Sequence, residues 1–196
     1  MTHVKRNLLI ALRMTLLTLL VTGVAYPLAI TGAAQLLSPR AANGSLVTQG
    51  DRVVGSHLVG QGFSSERYFH SRPSAAGPSG YDASASSASN LGPTSRTLID
   101  DVTRRVDEVI ATERGARRGE IPVDLVTTSG SGLDPDISPD AARLQVARVA
   151  TERGLDETAV RDLVEQHVKS RQFGLLGEAR VNVLELNLAL DALSSR

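Results

Sequence analysis

The sequence contains one long stretch without a charged residue, the 24 residues from Met14 to Leu37. As an α-helix this stretch would rise about 36 Å, which exceeds the ~30 Å hydrocarbon core of a bilayer and allows some tilt. The residues that follow, 38–196, mix polar, charged and apolar side chains as soluble domains do. The pattern therefore predicts one transmembrane helix over 14–37, followed by one extramembrane domain over 38–196.

Charges beside the apolar stretch predict its orientation. The flank before it carries Lys5, Arg6 and Arg13 and no acidic residue, whereas the far side has a single nearby basic residue. Positive residues close to a transmembrane helix are retained on the cytoplasmic side. We therefore expect a single-pass protein of the cell membrane, with residues 1–13 in the cytoplasm and residues 38–196 outside it.

A cleaved secretory signal peptide is the alternative for this stretch. Such a peptide has an apolar core of about 7–15 residues and a small-residue cleavage site of the A-x-A type. The stretch here is longer, and Ala33 and Ala34 near its end do not complete that site. Its length therefore favours a retained membrane anchor.

The apolar stretch carries small residues at a helical spacing. Ala25, Ala29 and Ala33 recur every four residues and fall on one helix side, the alanine face. Small residues on one side allow a second membrane helix to approach closely. Pro27 removes one backbone donor and is expected to bend the helix near Gly23. Because one span cannot enclose an ion pathway, we expect a subunit that docks on larger membrane partners.

Composition excludes several classes of function. The 21 basic and 21 acidic residues cancel, so nothing indicates a nucleic-acid partner. The absence of cysteine excludes disulfides and thiolate chemistry, so an exported domain must depend on its packed core. Only six aromatic residues occur, which is few for a sugar-binding or base-stacking surface.

Periodic patterns predict an α/β (mixed α+β) fold for residues 38–196, which we call the outer domain. Residues 71–95 have the serine-, alanine-, glycine- and proline-rich composition of a loop or a disordered linker. Ser138 and Asp156 have the character of helix N-caps, and Gly154 that of a helix stop. The other predicted elements are strands at Val53–Val54 and Leu58–Val59, an amphipathic helix over 93–111, a strand over 123–127, a strand containing Val181 and Val183, and a final helix beginning near Leu184.

No complete motif for catalysis or metal binding occurs in the outer domain. Acidic residues at alternate positions from Asp134 resemble the start of a calcium-binding loop, which requires glycine at its sixth position and glutamate at its twelfth. Those positions hold Pro139 and Gln145. Phosphate-binding loops and zinc-binding H-E-x-x-H patterns are also absent. We therefore predict no catalytic residue and no metal ligand.

Several strings in a fixed order connect the chain to a known family. They are GSHLVGQGF at 55–63, YFHSRPSA at 68–75, YD at 81–82, SNLGPT at 89–94, DLVT at 124–127, SGSGLDP at 129–135, ISP at 137–139, RVA at 148–150 and RVNVLELNLALD at 180–191. With these strings the chain closely resembles the KdpC family, the C subunits of the Kdp high-affinity potassium-transporting ATPase. The resemblance covers nearly the whole chain, the membrane anchor included.

The resemblance implies a role in potassium transport within a complex of four subunits. In it a channel-like subunit selects potassium, a P-type ATPase subunit supplies energy, and a small subunit stabilises the assembly. The C subunit is non-catalytic, is needed for assembly, and is described as a catalytic chaperone that raises the ATP affinity of the pump subunit. The resemblance thus implies ATP as the nucleotide and associates Gln145 with a nucleotide contact. Because ATP is cytoplasmic, an indirect effect through one stabilised conformation is physically simpler.

The resemblance also changes the interpretation of the serine-rich segment. Three of the family strings and the end of a fourth lie within residues 60–94, so we expect an ordered loop rather than a flexible linker. Gln61, His70, Arg72 and Asn90 in this loop are candidates for contact with the outer face of the channel-like subunit. The alternative, that these residues only fold the loop on itself, stays open.

Two hypotheses are alternatives to a non-catalytic transport subunit. One is a membrane-anchored extracytoplasmic hydrolase, whose machinery would be Ser131 with His70 or His167. Ser131 lacks the G-x-S-x-G pattern of a hydrolase nucleophile, and neither histidine stands in a motif that marks a catalytic base. The other is a free-standing binding module without membrane partners.

Overall fold

The computed structural model describes residues 2–194, which belong to two compact units, Met1–Leu46 and Val47–Arg196. The first unit is helical, and its parts are α1 (Thr2–Leu20), a π-helical turn (Val21–Ala25), α2 (Tyr26–Leu37) and the short α3 (Pro39–Ala42). The stretch His3–Leu37 is long and apolar enough to cross a membrane, with a mean hydropathy of 2.1 in its most apolar window. The helix therefore begins well before the predicted span of residues 14–37.

The helix changes its hydrogen bonding where proline is expected to disturb it. Pro27 has no N–H to donate to the carbonyl of Gly23, and Gly23 lies at the centre of the π-helical turn. Single π-helical turns are a recognised cause of helix bending. In the same turn Thr22 donates its hydroxyl to the backbone oxygen of Thr18 at 2.7 Å, which satisfies this polar group inside its own helix. The predicted disturbance near Gly23 therefore takes the form of a π-helical turn.

The outer domain mixes short strands with helices, so the predicted α+β class is confirmed. It opens with a two-stranded hairpin. The strands and helices are β1 (Leu46–Gln49), β2 (Arg52–Ser56), α4 (Arg96–Thr112), a 3₁₀ turn (Val123–Leu125), β3 (Asp136–Ile137), α5 (Pro139–Arg153), α6 (Glu157–His167), β4 (Val168–Lys169), β5 (Arg180–Asn182) and α7 (Val183–Ser194).

A three-stranded antiparallel sheet lies at the centre of the packed core. β5 is the middle strand, and Val181 pairs with Ile137 of β3 on one side and Val168 of β4 on the other. The helices α5, α6 and α7 all contact β5. The core they form includes Phe69, Val146, Val149, Val160, Val164, Leu186 and Leu190. The apolar stripes of the helices therefore face the sheet as amphipathic patterning predicts.

Capping hydrogen bonds confirm the predicted helix ends. Ser138 precedes α5, and its hydroxyl oxygen accepts from the backbone N–H of Ala141 at 3.1 Å. Asp156 precedes α6, and its carboxylate accepts from the backbone N–H of Ala159 at 3.2 Å. Gly154 ends α5 with a φ of 64°, a left-handed conformation in which glycine avoids the steric cost of a Cβ atom.

Replacing Ser138 with alanine is expected to lower the free energy of unfolding by about 1–2 kcal/mol, the upper part of the range for an N-cap. The Ser138 hydroxyl also donates to the buried carboxylate of Asp124 at 3.0 Å, and that bond is lost as well. Ser95→Ala is the matched control, because Ser95 precedes α4 without making a side-chain cap. Thermal unfolding followed by circular dichroism compares the two variants, and equal losses would contradict this account.

Two predicted strands are wrong. Val123–Thr127 instead begins with a 3₁₀ turn, because the backbone oxygen of Val123 accepts from the N–H groups of Val126 and Thr127 at 3.2 and 3.0 Å. Leu58 lies in a turn that follows β2, and Val59 forms an isolated antiparallel bridge with Ser56 rather than part of a strand. Short apolar runs are ambiguous between a strand and a buried turn, and both errors have this origin.

Other element boundaries shift by a few residues. The strand at Val53–Val54 is β2, whose partner β1 the sequence pattern does not predict. The amphipathic helix predicted over 93–111 is α4, which begins three residues later. Val183 is the first residue of α7 rather than part of a strand. These predicted elements therefore exist, with boundaries that differ by up to three residues.

Candidate functional site

A segment without helix or strand, residues 57–95, connects β2 to α4. It contains the long loop, residues 60–94, that the family strings mark. Phe69 and Ala76 of this loop are fully buried and Phe69 belongs to the hydrophobic core, so part of the loop is packed into the interior of the domain. Backbone groups inside a core must be hydrogen-bonded. The partners of those groups determine how the loop is held.

Two buried amide side chains hold the middle of the long loop, and we call them the amide clasp. Asn187 of α7 accepts from the Phe69 N–H at 2.9 Å and donates to the Phe69 carbonyl at 3.0 Å. Gln145 of α5 accepts from the His70 N–H at 2.7 Å and donates to the His70 carbonyl at 3.2 Å. The two amides are only 1% and 2% exposed, for Gln145 and Asn187 respectively. Their hydrogen bonds to the backbone of Phe69 and His70 take the place of those that a neighbouring strand would make.

A buried arginine extends the clasp toward the start of the loop. Arg148 of α5 donates to the carbonyl of Tyr68 at 3.0 Å and also to the carbonyl of Glu66. Its Nη2 donates to Gln145 Oε1 at 2.8 Å, and its Nε donates to Glu113 Oε1 at 2.8 Å. The Arg148 and Glu113 side chains are each 4% exposed, so this is an ion pair inside the domain. Arg148 therefore connects α4, α5 and the long loop.

A second arginine repeats this arrangement at the end of α5. Arg153 donates to the carbonyl of Arg67 at 2.8 Å and pairs with Asp191 of α7 at 2.7 Å. Its guanidinium lies 4.6 Å from the ring centre of Tyr68, whose hydroxyl donates to Asp191 at 3.1 Å. A cation above a tyrosine ring adds electrostatic attraction to the packing. The segment 66–70 is therefore held from both α5 and α7.

Burial and the Arg148 charge set the protonation states beside the clasp. Burial lowers the pKa of His70 below its ordinary value of 6.5, and the positive charge of Arg148 lowers this pKa further. The imidazole is therefore neutral at pH 7, and its Nε2 donates to the carbonyl of Ser65 at 3.1 Å. Burial raises the pKa of Glu113, and Arg148 opposes that rise. The second carboxylate oxygen of Glu113 is buried without a hydrogen-bond partner within the described residues.

The second half of the long loop packs against the segment Ser129–Leu133. Ser74 donates its hydroxyl to the carbonyl of Gly132 at 2.6 Å, and the Tyr81 N–H donates to the same hydroxyl oxygen at 2.8 Å. Gly132 has a φ of 68°, and a Cβ atom there would lie 2.5 Å from the carbonyl oxygen of Ser87. The S-G-S-G string is therefore a packing surface for the loop.

Three of the four predicted interface residues in the loop make contacts within the domain. Gln61 donates from its amide to the carbonyl of Val54 at 3.1 Å. Arg72 pairs with Asp134 at 2.9 Å, and the His70 ring contacts the loop itself. Asn90 is exposed, with a φ of 53°. Contact of these residues with a partner subunit stays a prediction, and Asn90 presents the most accessible side chain for it.

A cleft of about 330 Å³ opens beside the clasp, with α4 and the middle of the long loop among its walls. Gln145 lies in its wall, together with His70, Arg105 and Glu113. The Gln145 amide also donates to the carbonyl of Ala141 at 3.2 Å, so both of its polar atoms are already engaged twice. A nucleotide contact through Gln145 would have to displace one of these bonds. That contact stays a prediction.

The residues of the hydrolase alternative are not assembled in the described part of the chain. Ser131 closes a turn, and its hydroxyl oxygen accepts from the N–H of Leu133 at 3.1 Å. The ring nitrogens of His70 and His167 lie 3.1 and 2.8 Å from backbone carbonyls. Within residues 2–194 no hydrogen bond joins Ser131 to either histidine, and no group of three or more potential ligands is placed to hold a metal ion.

The alanine face lies in the long apolar helical stretch, His3–Leu37, of the first unit. Ala25 ends the π-helical turn, whereas Ala29 and Ala33 belong to α2. All three side chains are exposed in the isolated chain, so they are accessible to a second helix. Their contact with a partner stays a prediction.

Comparison with known proteins identifies the family. The family model described as "KdpC: K+-transporting ATPase, c chain" matches residues 8–192. The chain belongs to the KdpC family. A protein of Gemmatimonas aurantiaca named "Potassium-transporting ATPase KdpC subunit" is 60% identical over 185 residues, covering 94% of this chain and 92% of the relative. Proteins of the same name from Nitratidesulfovibrio vulgaris and Koribacter versatilis are 55% and 51% identical, over 99% and 95% of this chain and 96% and 95% of those relatives.

The KdpC relatives are named as subunits of a potassium-transporting ATPase, so the chain is related to an accessory subunit. The match to the family model includes most of the apolar helix as well as the outer domain. The resemblance that the sequence strings indicate is therefore confirmed.

Sequence reasoning missed the structural roles of Arg148, Asn187 and Glu113. A signal for two of them exists in the sequence. Asn187 stands between Leu186 and Leu188 in the apolar final helix, and Arg148 lies in α5 between small and apolar residues. A polar residue in an apolar helical stripe is expected to hold a buried hydrogen-bond partner. The identity of that partner, the loop backbone, has no sequence signature.

The lowered pKa of His70 predicts a specific dependence of stability on pH. Between the folded-state pKa and the ordinary value of 6.5, the unfolded chain binds more protons than the folded domain. The free energy of unfolding should therefore decrease as the pH falls through this window. Chemical unfolding at a series of pH values, with His70→Gln as the comparison, measures the slope. The variant should lose this part of the slope, and an unchanged slope would contradict the role of His70.

Proposed function

We propose that this chain is a non-catalytic subunit of an ATP-driven potassium importer and is needed for assembly and stability of that complex. The observation that carries the proposal is the KdpC family match over residues 8–192, which includes most of the apolar helix. Buried polar side chains hold the long loop of the outer domain in one shape. A loop that is already ordered loses less conformational freedom on binding, so the outer domain is compatible with a binding role. The site of ATP hydrolysis belongs, in this proposal, to another subunit.

The proposed location is the cell membrane, with α1 and α2 as a single span among lipids. The basic residues Lys5, Arg6 and Arg13 support a cytoplasmic amino terminus. Residues 38–196 then lie on the extracytoplasmic side, close to the mouth of a channel-like subunit. The absence of native cysteine makes this orientation simple to test with single introduced cysteines and a membrane-impermeant thiol reagent.

The proposed partners are the channel-like potassium-binding subunit, the P-type ATPase subunit and the small stabilising subunit. The alanine face supports a close helix contact, because small residues let backbones approach within a membrane. The Thr22 hydroxyl also supports a close helix contact, because it already donates to the backbone oxygen of Thr18 in its own helix. A second helix can therefore pack against this side without leaving the hydroxyl as a buried donor that lacks a hydrogen bond.

The proposed effect on ATP affinity is indirect. A ligand or subunit shifts a conformational equilibrium only through its different affinity for the two states. An outer domain that binds one state of the pump more tightly would raise ATP affinity without touching the nucleotide. The internal bonds of Gln145 support this mechanism, because a direct contact would break the amide clasp.

Sealed vesicles that contain the assembled complex test the direction of this effect. ATP is supplied only on the side of the pump subunit's hydrolytic domain, and the apparent ATP affinity is compared with and without this chain. We expect the chain to raise the affinity although its outer domain meets no nucleotide. An effect that appears only when ATP is also supplied on the side of residues 38–196 would indicate direct contact instead.

Asn90→Gly tests the contribution of the long loop to the interface. Glycine adopts the φ of 53° at this position without strain, so the substitution removes the amide and leaves the loop conformation in place. We expect weaker association with the complex and an unfolding midpoint close to that of the unchanged chain. Equal association of both chains would remove Asn90 from the interface.

A further inference from the structure

The hairpin of β4 and β5 ends in an exposed apolar tip, formed by Phe173, Leu175 and Leu176. These side chains are 83%, 82% and 60% exposed, although they are among the largest apolar residues of the domain. Single exposed apolar residues are normal, but a contiguous group of large ones marks an interaction surface. No other feature of the fold described above requires them.

Backbone hydrogen bonds hold the tip in a defined conformation. Gln172 and Leu176 exchange two hydrogen bonds, each 2.9 Å from donor nitrogen to acceptor oxygen. Phe173 has a φ of 54°, and a positive φ is unfavourable for a residue with a Cβ atom. Gly174 beside it has a φ of 74°, which glycine adopts freely. Arg171 and Glu178 form an ion pair across the base of the tip. The tip therefore presents its side chains from a closed turn.

We propose that the apolar tip inserts into an apolar groove on another subunit of the potassium-transporting ATPase complex. The inference rests on the proposed function, because it requires that such a complex forms. A convex group of three apolar side chains fits a groove, and burial of each contributes about 1.5–3 kcal/mol. The membrane anchor keeps the partners near one another, so a small contact of this kind becomes effective.

The charges around the tip favour a protein groove over a lipid surface. Anionic lipid attracts unpaired Lys and Arg residues beside an apolar anchor. Here Arg171 pairs with Glu178 at 2.5 Å, and Lys169 pairs with Glu185 at 2.7 Å. Arg180 of β5 pairs with Asp136 at 3.1 Å. The tip therefore offers apolar contact with its neighbouring cations neutralised.

The size of the tip disfavours a second copy of this chain as its partner. Each partner in a standard protein interface buries about 800 Å². An aromatic side chain contributes about 150–250 Å², so one phenylalanine and two leucines fall short of that area. A small projecting contact is sufficient only within a larger assembly that other contacts already hold together.

An environment-sensitive fluorophore on a single cysteine identifies the occupant. The chain lacks native cysteine, so Leu175→Cys gives a unique labelling site. The labelled full chain is measured in the assembled complex in detergent, alone in detergent at several concentrations, and alone in vesicles of phosphatidylethanolamine and phosphatidylglycerol. We expect blue-shifted emission only in the assembled complex. A blue shift in the vesicles alone would assign the tip to lipid, a concentration-dependent shift would assign it to a second copy, and a water-like emission everywhere would refute a buried tip.

A paired substitution tests whether the tip contributes to assembly. Phe173→Asn with Leu175→Gln removes the apolar surface, and asparagine tolerates the left-handed backbone at position 173. We expect at least a roughly tenfold loss of affinity for the other subunits, as for a hot-spot residue. The apolar variant Phe173→Leu with Leu175→Met should restore binding. Val123→Gln, at an exposed apolar residue away from the tip, should leave binding unchanged.

The outcomes separate this inference from the proposed function. If the unchanged chain fails to join the complex, the proposed function fails and the inference fails with it. If the unchanged chain assembles and the polar tip variant assembles equally well, only the inference is refuted.

Discussion

The substitution Arg148→Met is expected to lower the free energy of unfolding of the outer domain by about 3–5 kcal/mol, the usual effect of removing one partner from a buried ion pair. The change leaves the Glu113 carboxylate buried without its counter-charge. It also removes the donor that satisfies the carbonyls of Glu66 and Tyr68. Methionine fills a similar volume, so the loss reports hydrogen bonds and charge rather than a cavity.

Thermal unfolding of the full chain in detergent, followed by circular dichroism, measures this effect. A loss of this size should lower the melting temperature by roughly 10 °C in a domain of this length. Arg143→Met is the matched control, because Arg143 forms an exposed pair with Glu165 and such pairs contribute less than about 1 kcal/mol. Similar melting temperatures for the Arg148 and Arg143 variants would show that the buried network does not stabilise the domain.

The substitution Phe69→Ala is expected to have an effect of similar size, about 3–5 kcal/mol. The Phe69 ring is fully buried, and it belongs to the long loop rather than to a helix or strand. Its removal leaves a cavity at one of the two residues whose backbone the amide clasp holds. We therefore expect the long loop to lose protection from hydrogen exchange at lower denaturant than α5 and α7 do.

Phe173→Ala is the control for this second prediction. It deletes the same atoms from a side chain that is 83% exposed, so the free energy of unfolding should change by less than about 0.5 kcal/mol. Chemical unfolding compares the two variants. Equal stability of the two would mean that the long loop is not part of the cooperative core, and the central role given to its anchoring would be wrong.

Local chemistry accounts for the parts of the fold that the sequence predicts. The apolar helix follows from an uninterrupted run, and the starts of α5 and α6 follow from Ser138 and Asp156, whose side chains reach a backbone N–H three residues away. Such contacts are encoded within one turn of the chain. The same reasoning predicts a disturbed helix near Gly23, four residues before Pro27, and the structure has the π-helical turn there.

The anchoring of the long loop depends on contacts between residues far apart in sequence. Asn187 meets Phe69 across 118 positions, and Gln145 meets His70 across 75. Neither periodicity nor composition specifies such a pair, and composition alone indicates a loose linker for residues 71–95. The family strings correct that interpretation, because they mark the segment as a specific structure without explaining how it is held.

The candidate site shows the same division. Motif analysis predicts no catalytic machinery, and the family model and the relatives assign the chain to a transport subunit family. Gln145 enters the prediction only through the resemblance, and its buried bonds give it a structural role that the sequence does not reveal. The apolar residues of the tip, by contrast, can be seen in the sequence as a Phe-Gly-Leu-Leu string. That they are exposed is seen only in the structure.

Isolation of the tagged full chain from membranes in a mild detergent, with identification of its companions by mass spectrometry, tests the central claim most directly. The claim is that this chain functions as an accessory subunit of a potassium-transporting ATPase. We predict that a channel-like subunit and a P-type ATPase subunit elute together with it in one large species. Elution of the chain alone, from membranes in which those subunits are present, would contradict the account.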